Sequence, residues 1–131
     1  MSSSAAQAIS SQPNFVILYV ADPEASVSFY TRLLAVEPVE VSPTFALFVL
    51  ESGLKLGLWQ VTSIAPAAQL TGGGTELAIP LSSREQVDAL CMRWWDQGVR
   101  ILQQPTSMDF GYTFTAADPD DHRLRVFVME M

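Results

Sequence analysis

The apolar pattern of this chain occurs twice, and that repeat limits the folds that the chain can adopt. Three alternating apolar residues of an early strand reappear 61 positions later: Val16, Leu18 and Val20 align with Leu77, Ile79 and Leu81. Two residues of a later strand reappear at an offset of 68 positions: Leu56 and Leu58 align with Leu124 and Val126. A repeat of this kind indicates a fold built from two similar modules.

Each half of the chain carries the signals of one strand, one helix and three further strands. In the first half these are a strand at 15–20, a helix from 23 to about 34, and strands around 39–41 and at 44–50 and 54–61. In the second half these are a strand at 75–81, a helix capped by Ser82 or Ser83 and running to about Gln97, and strands at 99–102, 110–116 and 123–128. Pro105 is expected to end the strand at 99–102, because proline cannot donate to a sheet.

The predicted fold class is α+β, with two pseudo-repeated βαβββ modules. Each module lays one helix on one face of a curved four-stranded sheet, so the other face is concave. We expect residues 1–13 to form a disordered tail and residues 14–131 to form a single domain. Within that domain, module one spans 14–61, a glycine-rich linker spans 62–74 and module two spans 75–131.

The composition excludes several classes of partner and site. Seven basic and 14 acidic residues give a net charge of −7, whereas nucleic acids and anionic membranes are bound by basic surfaces. A single cysteine, Cys91, and a single histidine, His122, exclude a disulfide framework and two-histidine metal motifs. No apolar run approaches the roughly 20 residues of a membrane span. The start lacks a secretory pattern, so we expect a cytoplasmic protein.

Strand alternation assigns side chains to the two faces of each sheet. The concave face of the first sheet is predicted to carry Phe15, Ile17, Tyr19, Lys55, Gly57 and Trp59. The concave face of the second sheet is predicted to carry Glu76, Ala78, Pro80, Arg123, Arg125 and Phe127. Glu76 and Arg125 need a reason to lie among apolar strand residues, because unpaired buried charges are costly.

Two segments carry a resemblance to a known superfamily. The stretch VADPEASVSFYTRLL and the ending FGYTFTAADPDDHRLRVF, together with the paired modules, resemble the vicinal oxygen chelate superfamily. That group includes glyoxalase I, extradiol dioxygenases and the fosfomycin- and bleomycin-resistance proteins. The resemblance covers roughly residues 14–129. Asp121 stands where the family usually has glycine, and aspartate tolerates a left-handed turn better than most residues.

The resemblance also implies where a metal would bind. The metalloenzymes of the superfamily place ligands at four concave-face positions, held in this chain by Phe15, Gly57, Glu76 and Arg125. Phenylalanine and glycine offer no donor atom, and arginine has no lone pair to give. We therefore expect no metal, no cofactor and no catalytic residue, and we lean towards a protein that is not an enzyme. Glu76 is predicted to pair with Arg125, the alternative being that each reaches solvent separately.

Without a metal, the resemblance favours drug binding. The chain resembles in particular the phenazine-antibiotic-resistance proteins, which hold a flat drug between two subunits and do no chemistry on it. A tryptophan at the position of Trp59 stacks on the ligand in such proteins, and stacking suits an aromatic ligand. We therefore predict a homodimer that binds a small planar aromatic molecule through these residues: Trp59, Phe15, Tyr19, Phe45, Phe48, Gly57, Glu76, Met108, Phe110, Tyr112 and Arg125.

Alternation limits this set, since only one of Phe45 and Phe48 can face the concave side of a regular strand. A turn is predicted at 118–121, and His122 beside it is expected to be a turn residue or a surface residue. Cys91 is expected to be a buried, inert thiol.

Two other functions remain open. One is a metal-dependent glyoxalase-like lyase or dioxygenase with an atypical site. The other is a module that only dimerises and buries its aromatic residues between subunits.

Overall fold

The computed structural model describes residues 12–69 and 72–130, so most of the predicted tail lies outside the described residues. The elements in chain order are β1 (Phe15–Val20), α1 (Pro23–Leu34), β2 (Glu40–Val41), β3 (Phe45–Val49), β4 (Lys55–Gln60), a 3-10 turn (Val61–Ser63), β5 (Glu76–Pro80), α2 (Arg84–Asp96), β6 (Arg100–Met108), β7 (Gly111–Ala117) and β8 (Arg123–Met129).

The strands form two four-stranded sheets with the same topology. Their orders are β1-β4-β3-β2 and β5-β8-β7-β6. In each sheet the first and last strands of the module pair in parallel and the remaining pairs are antiparallel. The α+β class and the two-module architecture predicted from the apolar repeat are confirmed.

Both helices begin at the residue types that the sequence offers as caps. The side chain of Asp22 accepts a hydrogen bond from the backbone N–H of Glu24, and Pro23 occupies the first turn. Ser83, rather than Ser82, caps α2 by accepting from the N–H of Gln86. These caps fix where each helix starts relative to the strand before it.

One hydrophobic core serves both modules. The side chains that lie between the sheets and the helices form a single cluster, which includes Val20, Tyr30, Phe48 and Leu58 from module one and Val87, Trp94, Phe114 and Leu124 from module two. The helix-facing side of each sheet is thereby buried. The opposite side of each sheet remains available for a site.

The modules also contact each other through polar bonds within the chain. The hydroxyl of Tyr30 on α1 donates to Asp118 after β7 at 2.7 Å. The backbone N–H of Ala21 donates to the Asp120 carboxylate at 2.9 Å. Desolvation by burial, reinforced by the Asp118 carboxylate, raises the pKa of Tyr30 far above its usual range. The contact between the two modules therefore depends on the neutral phenol of Tyr30, which donates to the buried carboxylate of Asp118.

The prediction that Pro105 ends a short strand at 99–102 is wrong. β6 continues from Arg100 to Met108, with two register shifts against β7 around this proline. Proline is tolerated there because β6 is the edge strand of its sheet, where one side of the backbone has no ladder partner.

Within the described part of the chain, no helix is long and apolar enough to cross a membrane.

Candidate functional site

The side of the first sheet opposite α1 carries four aromatic residues, here called the aromatic face: Phe15, Tyr19, Phe45 and Trp59. Tyr19, Trp59 and Phe45 are neighbours in register across β1, β4 and β3. The rings of Phe45 and Trp59 meet edge to face, with centroids 6.3 Å apart and planes at 88°. This is a favoured aromatic geometry, and it places the indole among other rings.

Gly57 lies beneath two of these rings. A Cβ atom at this position would lie 3.0 Å from Phe15 Cε1 and 3.0 Å from Phe45 Cζ. The rings therefore close over the space that any larger residue would fill. The glycine, predicted as a site residue, makes the aromatic face continuous between β1 and β3.

The side of the second sheet opposite α2 carries a group of hydrogen-bonded residues, here called the polar cluster: Glu76, Gln103, Thr113 and Arg125. Arg125 Nε donates to Glu76 Oε1 at 2.7 Å and Nη2 donates to Oε2 at 2.9 Å. The predicted pairing of these two residues is confirmed, in the two-bond geometry that suits guanidinium and carboxylate. The Arg125 hydrogen bond holds the pKa of Glu76 below its usual range and, reciprocally, raises the pKa of Arg125.

The polar cluster extends to residues that the sequence reasoning missed. Arg125 Nη1 also donates to Gln103 Oε1 and to Thr113 Oγ1, each at 3.3 Å. Thr115 Oγ1 donates to the same Gln103 oxygen at 3.1 Å. The sequence does not indicate Gln103, because the strand is predicted to stop at 102. Thr113 could have been found, since the alternation of β7 places it on this side of the sheet.

Apolar residues border the polar cluster. Phe110 and Phe127 meet edge to face with centroids 6.0 Å apart, and Arg125 Cζ lies 5.9 Å from the centre of the Phe110 ring. Met108 Sδ lies 4.0 Å from Arg125 Nη1. Of the predicted site residues, Glu76, Met108, Phe110 and Arg125 are therefore together on the second sheet.

Two predicted site residues lie elsewhere. Phe48 is fully buried in the core on the α1 side of β3, because alternation gives the other side to Phe45. Tyr112 lies on the α2 side of β7, where its hydroxyl donates to Asp88 at 2.7 Å and Arg84 Cζ lies 4.5 Å from the ring centre. Phe110 precedes β7, and Gly111 between it and Tyr112 has a φ of 151°. Regular strand alternation is therefore interrupted, and Phe110 and Tyr112 lie on opposite sides of the sheet.

His122 lies beside the turn as expected, but the alternative of a surface position is wrong. Its side chain is buried, and Nε2 donates to the backbone carbonyl of Tyr19 at 2.9 Å. The neighbouring Asp121 adopts a φ of 67°, so the predicted left-handed turn is confirmed. His122, directly before β8, is thus hydrogen-bonded to β1 at the backbone of Tyr19, a residue of the aromatic face.

Both candidate faces are open in a single chain. Phe15 is 37% exposed and Ile17 43% on the first sheet, while Met108 is 45% and Phe110 37% exposed on the second. Apolar side chains of this size rarely stay exposed together unless something binds them. A separate groove of about 530 Å³, between the start of α1 and the segment 41–43, contains none of the predicted site residues.

Comparison with known proteins identifies the family. The model of the glyoxalase/bleomycin resistance protein/dioxygenase superfamily matches residues 12–126. The chain belongs to this superfamily. It is 32% identical over 117 residues to the phenazine antibiotic resistance protein EhpR of Enterobacter agglomerans, covering 87% of this chain and 89% of EhpR.

Solved structures share the fold of this chain. The solution NMR structure of a protein from Agrobacterium tumefaciens is 55% identical, with a TM-score of 0.86 over 93% of this chain and 100% of that one. A glyoxalase/bleomycin resistance protein/dioxygenase from Nocardioides is 25% identical, with a TM-score of 0.77 over 95% of this chain and 89% of that one.

The residues present do not fit the metal of the superfamily's metalloenzymes. The positions that the sequence resemblance assigns to the four ligands hold Phe15, Gly57, Glu76 and Arg125, and both carboxylate oxygens of Glu76 already accept from Arg125. Among residues 12–69 and 72–130, no group of three or more His, Cys, Asp or Glu side chains is placed to hold a metal ion. A divalent ion needs several such donors at once.

Proposed function

We propose that this protein binds a small planar aromatic molecule and sequesters it without transforming it, as an antibiotic-resistance protein. The observation that carries the proposal is the aromatic face, on which Trp59, Phe45 and Phe15 surround Gly57. Flat ligands gain from offset or edge contacts with such rings, by roughly 0.5–1.5 kcal/mol each beyond burial. The likeness to EhpR over most of both chains supports the same conclusion.

The proposal includes a second copy of the chain. The helix-facing sides of both sheets are buried in the shared core. The aromatic face and the polar cluster lie on the opposite sides of the sheets and point away from that core. A homodimer in which the aromatic face of one chain lies opposite the polar cluster of its partner would cover both. The ligand would then lie between rings on one side and hydrogen-bonding groups on the other.

Tryptophan fluorescence tests the binding. Phenazine is titrated into the protein, and we expect saturable quenching because Trp59 lies on the aromatic face. Trp59→Ala removes a stacking partner, so we expect at least tenfold weaker binding, measured by equilibrium dialysis for both proteins. Trp95→Phe is the matched control, since Trp95 is 64% exposed on α2 and belongs to neither face.

Different results would contradict the proposed site and the proposed function. Quenching that persists in Trp59→Ala and vanishes in Trp95→Phe would place the ligand on α2 and contradict the proposed site. No binding of phenazine, or of a related flat heterocycle, would favour the module that only dimerises. For the enzyme alternative, metal analysis of protein purified without chelator decides: one bound divalent ion per chain, lost in Glu76→Gln, would contradict the proposal.

A further inference from the structure

Gln103 has a fixed orientation in the polar cluster. Its Oε1 accepts from Arg125 Nη1 at 3.3 Å and from Thr115 Oγ1 at 3.1 Å. A guanidinium can only donate, so the oxygen of this amide must face Arg125. The Nε2 end of the amide is therefore turned the other way, towards Met108.

The acceptor that Gln103 Nε2 meets there is a poor one. Nε2 lies 3.5 Å from Met108 Sδ, and Arg125 Nη1 lies 4.0 Å from the same sulfur. A thioether accepts hydrogen bonds only weakly. The Met108 side chain is flexible and 45% exposed, so it can move aside at little cost. The Nε2 donor of Gln103 is thus covered by a group that an oxygen or nitrogen acceptor would displace, whereas the two N–H groups of Arg125 Nη1 already donate to Gln103 Oε1 and Thr113 Oγ1.

The charge of the polar cluster is already balanced. Glu76 accepts two hydrogen bonds from Arg125, at 2.7 and 2.9 Å, and only 18% of the Arg125 side chain is exposed. A ligand carboxylate would have to compete with Glu76, which is held on the neighbouring strand β5. A neutral acceptor would leave this pair intact. The Phe110 ring beside Arg125 adds an apolar wall for a flat ligand.

We propose that Gln103 Nε2, held in place by the bond from Arg125 to the amide oxygen, is the donor that selects a neutral, planar heteroaromatic ligand carrying a ring nitrogen or carbonyl acceptor, and that Met108 moves aside when it binds. This inference rests on the proposed function and names the ligand class and Gln103 as a specificity residue. A flat hydrocarbon fills the same space but leaves the Gln103 N–H facing sulfur. Discrimination between the two therefore measures the Gln103 donor itself.

Three probes of the same tricyclic shape test this by equilibrium dialysis against the full chain. Phenazine has two ring nitrogens, anthracene has none, and phenazine-1-carboxylate adds a negative charge. We expect phenazine to bind roughly tenfold more tightly than anthracene, the size of one good hydrogen bond. Gln103→Leu should weaken phenazine binding by a similar factor and leave anthracene binding unchanged.

Gln104→Leu is the matched control, because Gln104 lies beside Cys91 and Met92 of α2 and outside the polar cluster. Equal binding of phenazine and anthracene, or a phenazine affinity unaffected by Gln103→Leu, would overturn the role of Gln103 while leaving the proposed function in place. Binding of phenazine-1-carboxylate more than tenfold tighter than phenazine would overturn the neutral class. Failure of all three probes to bind would overturn the proposed function and this inference together.

Discussion

Gly57 lies under two phenyl rings, and the absence of a side chain there makes room for them. A methyl group 3.0 Å from both Phe15 and Phe45 is tighter than most real Cβ contacts, so the rings must shift by a few tenths of an ångström. We expect Gly57→Ala to weaken phenazine binding at least fivefold. The free energy of unfolding should change by less than about 1 kcal/mol, because the displaced groups are ring edges on an open face.

Gly74→Ala is the control for this substitution, since a Cβ at position 74 meets no atom within 4 Å. Dialysis with phenazine and urea unfolding of both variants provide the measurement. A Gly57→Ala protein that binds phenazine as well as the wild type would show that the ring positions over Gly57 do not matter for binding.

The ion pair of Glu76 with Arg125 predicts a pH dependence of stability. Because Arg125 lowers the pKa of Glu76 in the folded chain, the pair stabilises the protein fully above the ordinary glutamate pKa of 4.5. That contribution is lost as the pH falls through the lowered value. We expect Glu76→Gln to cost roughly 1 kcal/mol at pH 7, discounted for partial exposure, and progressively less below pH 4.5.

Urea unfolding at a series of pH values measures this difference. Glu40→Gln, an exposed substitution on β2, is the control. A Glu76→Gln difference that stayed constant down to the most acid pH would show that the carboxylate charge does not stabilise the fold.

Single residues could be placed from the sequence wherever a strand is regular. Alternation assigned Phe15, Gly57 and Arg125 to the correct faces, because β1, β4 and β8 pair without interruption. It failed for Tyr112, since the chain turns at Gly111 and the alternation starts again there. The bonds of Gln103 could not be predicted at all, because they depend on the register between β6 and β7.

At the scale of the elements, the start of α2 shows how a single side-chain hydrogen bond determines where a helix begins. The sequence offered Ser82 and Ser83 as equal caps, and the structure assigns the role to Ser83 through its bond to the Gln86 N–H at 3.2 Å. Ser82 contributes only its backbone N–H, which donates to Gln86 Oε1. We expect Ser83→Ala to lower the free energy of unfolding by about 1 kcal/mol and Ser82→Ala by a few tenths at most.

Thermal and urea unfolding of the two variants measure this directly, and each serves as the other's control. An equal loss in both would mean that the hydroxyl of Ser83 is not the cap.

β6 is the element that sequence rules described least well. Proline predicts the end of a central strand, whereas β6 is an edge strand and accommodates Pro105 with two register shifts. Whether a strand is central or at an edge depends on the topology of the whole sheet. That information is not local to the residues around Pro105.

At the scale of the whole molecule, the repeat in the apolar pattern was sufficient to predict two equivalent modules. It left open whether they pair within one chain. The shared core and the bond from Tyr30 to Asp118 join them in the same chain, so both should unfold together. The faces left outside that core determine what a second copy can contact.

The proposed homodimer follows from those open faces and predicts the mass of the protein in solution. Sedimentation equilibrium at micromolar concentration is expected to give twice the chain mass. Phe110→Asp places a charge where the second sheet is exposed and apolar, so we expect it to shift the protein towards monomer and to weaken phenazine binding. Met92→Asp, at a residue 68% exposed on α2, should change neither. A wild-type protein that stays monomeric while binding phenazine normally would overturn the dimer and leave the aromatic face as a site within one chain.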